Sequence, residues 1–126
     1  MPVKPPKQLT SRTIARRAAL WAAEKQANDI VVLDLREVTD FADYFVICTG
    51  AVDVHVRAIA DNIEHELKKI GWKPKQIEGK DNHRWVLMDY VHVIVHVFQP
   101  QARGFYSIER LWGDAKKVTV KGATDQ

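Results

Sequence analysis

The sequence predicts an α/β fold: a single-domain sandwich with a mixed β-sheet and flanking helices. Three observations predict it. Residues 30–35 and 44–49 are short continuous apolar runs, the pattern of strands covered on both faces. Residues 53–70 carry Val56, Ile59, Ala60, Ile63, Leu67 and Ile70 at intervals of three and four, the period of an amphipathic helix. Residues 83–98 alternate in character along two strands folded back on each other. A chain of 126 residues is long enough to bury one core around such a sheet.

The other elements follow in chain order. Residues 1–9, rich in Pro and Lys, are expected to form a disordered basic N-terminal tail. Thr10 or Ser11 can cap a helix running to about residue 27. Its buried stripe is Ile14, Ala18, Trp21 and Ala22, with Arg12, Arg16 and Arg17 outside, and Asn28-Asp29 end it. The 30–35 strand passes through a polar loop, 36–43, into the 44–49 strand, which Gly50 ends. In the long helix Glu64 and Lys68 form an i,i+4 pair. Gly71 ends that helix and Pro74 prevents its resumption. Residues 75–78 read as a weak edge strand and 79–82 as a turn into the hairpin. Phe105, Ile108, Leu111 and Trp112 give a short amphipathic helix closed by Gly113, and residues 116–126 read as a C-terminal tail.

Charge is divided along the chain. Residues 1–30 hold six Lys or Arg against two Asp or Glu, and residues 115–126 hold three against one. Residues 31–114 hold ten against thirteen, a balance of −3. A binder of phosphate backbones would concentrate Lys and Arg on its folded face. A basic protein suits this mildly acidic centre better than naked nucleic acid. No apolar run approaches the ~20 residues of a membrane helix, and residues 1–7 lack the apolar region of a secretory signal. The single cysteine, Cys48, rules out an internal disulfide and fits a reducing, cytoplasmic setting.

In the hairpin, Val91, Val93, Val95 and Val97 share one face with Val86, Met88 and Tyr90. Trp85, Leu87 and Asp89 share the other with His92, Ile94, His96 and Phe98. Pairing Asp89 with His92 sets Leu87 beside Ile94 and Trp85 beside His96. The valine face is core. The mixed face, aromatic, imidazole and carboxylate groups on an apolar floor, has the composition of a docking surface. Helices covering it are the competing explanation.

Other chemistry finds little support. His92 and His96, with His83, suggest zinc, but positions four apart on a strand lie about 13 Å apart and cannot share an ion. Asp40 with Asp43, or Asp89 with Asp34, could serve a metal-dependent transferase, yet loop aspartates before a strand more often cap or turn. There is no glycine-rich phosphate cradle. Thr49-Gly50 before a helix is a turn and cap before it is an anion site. No cofactor or metal ligand set is expected.

Several blocks together resemble one family. They are Asp43-Tyr44-Phe45-Val46-Ile47-Cys48-Thr49-Gly50, Val56-Arg57-Ala58-Ile59-Ala60-Asp61, Glu78-Gly79, Trp85-Val86-Leu87-Met88-Asp89-Tyr90, Val95-His96-Val97-Phe98, and the run from Phe105 through Tyr106-Ser107-Ile108-Glu109-Arg110-Leu111-Trp112-Gly113-Asp114 to Ala115. In this order and spacing they closely resemble the ribosomal silencing factor family (RsfS), also called Iojap-like, over roughly residues 13–115. The resemblance implies a nucleotidyltransferase-like fold without the catalytic signature, and a silencing domain over residues 10–115. It implies binding to the large ribosomal subunit through ribosomal protein uL14, on the intersubunit face. That blocks joining of the small subunit and represses translation when nutrients are scarce. A homodimer is implied as well. The contact core expected on this basis is Trp85, Leu87, Asp89, Tyr90, His96 and Phe98, flanked by Glu109 and Trp112. The alternatives are a metal-dependent nucleotidyltransferase-like enzyme and an RNA-binding ribosome-assembly module using the basic ends. Two departures from the family pattern stand out. Val52 and Val54 replace polar residues after the Thr-Gly turn, where with Val91 they could extend an apolar patch. Val91-His92 stands where Gly-Asp is common, and a valine is strained at a turn that needs φ > 0.

Overall fold

The computed structural model describes residues 9–106 and 108–124, with the backbone alone for 104–106, 108 and 109. The expected disorder of residues 1–8 lies outside the described residues, while Leu9 is partly buried against the core. The elements are α1 (Ser11–Glu24), β1 (Asn28–Asp34), β2 (Tyr44–Thr49), α2 (Asp53–Lys69), β3 (Gln76–Glu78), β4 (Trp85–Asp89), β5 (Val93–Phe98), α3 (Pro100–Tyr106), α4 (Ile108–Leu111) and β6 (Lys116–Val118). The six-stranded sheet has the order β3-β4-β5-β2-β1-β6. β2 and β5 run parallel, and the other neighbours are antiparallel. The sheet is mixed and flanked by helices, as the sequence predicts.

Local chemistry sets the boundaries. The Thr10 hydroxyl caps α1 by accepting the Thr13 N–H at 3.1 Å. The helix stops at Glu24, short of the expected end, because Gln26 takes φ 60. Asn28 then starts β1, and Asp29, at φ 50, falls in an irregular stretch of the β1–β2 pairing. α2 ends in a Schellman motif: the Trp72 N–H donates to Leu67 O at 2.9 Å and the Gly71 N–H to Lys68 O at 3.0 Å. Gly71 supplies the left-handed φ of 90 that this ending requires. Glu64 pairs with Lys80 at 3.1 Å rather than with Lys68.

The core has two layers. Under α1 and α2 lie Val32, Tyr44, Val46, Cys48, Val86, Met88, Tyr90, Val93, Val95 and Val97. On the far face Leu33, Leu35, Phe45, Ile47, Ile94 and Phe98 pack with Ala42 and Ala102. All six residues of β2 and of β5 are buried. Strands covered on both faces explain the continuous apolar runs.

Three sequence expectations are corrected. The hairpin pairs Asp89 with Ile94, Leu87 with His96 and Trp85 with Phe98, a slip of two from the expected register. Because side chains alternate with period two, the paired residues keep their faces, but Val91, expected in the core, and His92 fall in the turn and are exposed. The chain reverses at Val91, where φ is 72 and the His92 N–H donates to Tyr90 O at 2.9 Å, as in a γ-turn. Asp89 makes this possible by accepting the Val91 N–H on Oδ1 at 2.8 Å. Second, α3 begins at Pro100, five residues before the expected short helix, since proline suits a first helical position. Third, residues 116–124 of the expected tail do not trail away, and 125–126 lie outside the described residues. β6 pairs with β1, and Val118, Val120 and Ala123 are buried in the core.

Candidate functional site

The two faces of the sheet are sealed unequally. α1 and α2 cover one of them along its length. The other is roofed over β5 and β2 by Ala102 of α3 and by Trp112, which meets Phe45 edge-on at 5.7 Å. Over β4 the roof is incomplete, so Trp85, Leu87 and Asp89 remain half-buried. Phe41 extends the apolar surface at the loop before β2: it is 63% exposed and its ring lies 6.4 Å from Phe45. Leu111, beside Trp112, is 76% exposed.

Beneath this surface lies an aromatic layer. Trp85 stacks on Phe98 with centroids 5.1 Å apart, and Phe45 meets His96 edge-on at 4.7 Å. The Trp85 Nε1–H donates to His96 Nδ1 at 3.1 Å. An accepting Nδ1 puts the imidazole proton on Nε2. That Nε2 has no hydrogen-bond partner among the described residues. Burial drives the His96 pKa down to about 4, so the ring is neutral near pH 7.

The expected contact residues therefore separate. Trp85, Leu87, Asp89 and Trp112 are accessible on the far face. His96 and Phe98 lie on that face but are 2% and 0% exposed, so they form its floor. Tyr90 is a correction: it points into the core under α2, is 3% exposed, and has its pKa raised by burial and then by Glu64. The Glu109 side chain lies outside the described residues. Asp89 is not simply solvated, because it holds the Val91 turn. Val52 and Val54 are exposed but begin α2, beyond the C-terminal end of β2, whereas Val91 precedes β5. Since β2 and β5 are parallel, these valines lie at opposite ends of the sheet and form no common patch. Phe41 and Leu111 were missed as surface residues. The signal for Phe41 was a lone phenylalanine inside a polar loop.

Two of the aspartates considered for metal chemistry are already engaged by other side chains. Asp34 accepts from Arg36 Nη2 at 2.8 Å, which lowers its pKa, and Asp43 accepts from Ser11 Oγ at 2.8 Å. His92 lies 3.8 Å from Asp43. No group of three or more His, Cys, Asp or Glu placed to hold a metal ion occurs among the described residues. Arg103 Nη1 donates to Thr49 Oγ1 at 2.7 Å and to Asp29 O at 2.6 Å, in a shallow cleft at the carboxyl ends of β2 and β5. Burial raises the Cys48 pKa to about 12, which leaves the thiol protonated and inert. No helix among the described residues is long and apolar enough to cross a membrane.

Architecture and site define an α/β protein with one closed sheet face and one partly open aromatic face. The model described as "Ribosomal silencing factor during starvation" matches residues 8–126. A ribosomal silencing factor RsfS from Bacillus subtilis (strain 168) is 42% identical over 107 residues, covering 85% of this chain and 91% of its own. A crystal structure of a Chromobacterium violaceum protein superposes with a TM-score of 0.80 at 29% identity, covering 93% of this chain and 97% of its own. A mouse relative named mitochondrial assembly of ribosomal large subunit protein 1 is 29% identical over 92 residues, covering 71% of this chain and 40% of its own. The chain belongs to the ribosomal silencing factor family.

Proposed function

We propose that this protein binds the large ribosomal subunit through ribosomal protein uL14 and, by its bulk, prevents the small subunit from joining. Translation is thereby repressed, above all when nutrients are limiting. The observation that carries the reading is the incompletely roofed face of β4. There Trp85 and Leu87 offer half-buried apolar anchors on the same strand face as the carboxylate of Asp89, with Trp112 in the same layer. Large aromatic side chains rimmed by charge suit the centre of an interface. The −3 balance of residues 31–114 suits a basic protein partner. The name of the mouse relative also speaks of the large subunit. The mechanism is steric and asks for no catalytic group or cofactor. A homodimer, as the family resemblance implies, belongs to the same proposal.

Co-sedimentation with separated subunits tests it. The protein is expected to travel with large subunits and not with small ones. Trp85→Ala should weaken that binding by about 2 kcal/mol or more, as for a hot-spot aromatic. Binding to small subunits alone, or to neither, would overturn the reading.

A further inference from the structure

A half-exposed indole on an open sheet face has rotameric freedom, and a partner that immobilises it bears the ordering cost. Trp85 is restrained in advance. Its ring stacks on Phe98 with an interplanar angle of 26°, and its Nε1–H donates to His96 Nδ1 at 3.1 Å. In the β4–β5 ladder Trp85 faces Phe98 while His96 faces Leu87, so this hydrogen bond crosses the ladder diagonally. His96 is itself held, with Phe45 edge-on at 4.7 Å and Phe98 parallel to it, 6° between the planes. It is 2% exposed.

For packing alone, histidine is a poor residue at this position. Its Nε2–H is buried with no hydrogen-bond partner among the described residues, and a buried unpaired donor costs stability. Leucine would fill the space and remove the stranded Nε2–H, but would leave the part-buried Trp85 Nε1–H without its acceptor. What leucine cannot supply is the acceptor at Nδ1. We propose that His96 is a positioning residue of the docking face, holding the Trp85 indole in the one orientation that meets the partner. This rests on the docking reading above. His96 does not touch the partner; it acts through Trp85.

Binding of the full-length protein to purified large subunits tests this, with thermal melts run on the same samples. His96→Leu is expected to melt close to the wild-type temperature, because the stranded Nε2–H that it removes offsets the Trp85 Nε1–H that it leaves without its acceptor. It is expected to bind roughly three- to tenfold more weakly, the ordering cost of one side chain. His96→Asn, whose Oδ1 replaces Nδ1 as acceptor, should recover most of that affinity. In a Trp85→Phe background, which has no indole N–H, His96→Leu should have no further effect on binding. The indole N–H resonance of Trp85, identified by its loss in Trp85→Phe, should shift in His96→Leu and return towards its original position in His96→Asn. A residue that only packs would move melting and affinity together and would not be rescued by asparagine; that result overturns the proposal. So does wild-type affinity in His96→Leu when Trp85→Ala binds weakly, an outcome that leaves the docking reading intact. Wild-type affinity in Trp85→Ala would instead overturn the docking reading itself.

Discussion

At the scale of single residues, His96 links the aromatic layer to pH. Burial lowers its pKa from 6.5 to about 4 in the fold. Between those values the unfolded chain takes up a proton that the folded protein does not, so unfolding gains as pH falls. The stability contribution is therefore complete above about pH 6.5 and is lost as pH drops towards 4, by at most about 3 kcal/mol. Carboxylates titrate in the same range, so the useful quantity is a difference. Denaturant unfolding of the wild type and of His96→Asn at pH 7, 5.5 and 4.5 should show the wild type losing its relative standing as pH falls. A difference that stays constant across the three values would mean that His96 is not a buried neutral imidazole. Tyr90 illustrates a separate limit at this scale. Its composition suited a contact, but its strand parity put it with Val86 and Met88, and the structure follows parity.

At the scale of elements, the hairpin shows what alternation determines and what it leaves free. Parity assigned Trp85, Leu87 and Asp89 to one face and Val93, Val95 and Val97 to the other, and the structure keeps that division. Alternation is blind to a shift of two, so the pairing itself had to come from the turn. The turn depends on the Asp89 carboxylate accepting a backbone N–H, which no pattern of apolar residues encodes. The long helix was legible because five buried positions repeat its period. β6 was not, because three residues are too few to show any period. The half-covered state of the site was not legible either: coverage depends on where α3 and α4 come to rest, and parity says nothing about that. A prediction follows from the turn. Val91 is 51% exposed at φ 72, so its side chain gives little packing while its backbone is strained. Val91→Gly should raise stability by about 1 kcal/mol, the left-handed penalty less the entropy that glycine adds to the unfolded chain. The denaturant midpoint measures it. A fall in midpoint would show that the valine side chain contributes more than its backbone costs.

At the scale of the whole molecule, α1 and the segment from β6 to Thr124 pack together at one edge of the sheet. β6 pairs with β1, Arg16 Nη1 donates to Thr119 O at 3.4 Å, and the Val120 N–H donates to Thr124 Oγ1 at 2.7 Å. Val118, Val120 and Ala123 join the layer that holds Ile14 and Ala18 of α1. Removing residues 116–126 would take two buried valines from that layer, at about 1.5–3 kcal/mol each. It would also turn β1 into an unpaired edge. The expected loss, about 3–6 kcal/mol, is a large share of the 5–15 kcal/mol typical of a domain. The same cut removes Lys116, Lys117 and Lys121, so weaker ribosome binding by the shortened chain would not tell packing from charge. A second variant separates them: Lys116→Gln, Lys117→Gln and Lys121→Gln together, all exposed positions, with Val118 and Val120 intact. Thermal melts followed by circular dichroism should show the 1–115 chain unfolded or melting far lower, and the triple variant close to wild type. A 1–115 chain that melts within a degree or two of the full protein would mean that β6 adds nothing to the core, and that residues 116–126 are dispensable to the fold.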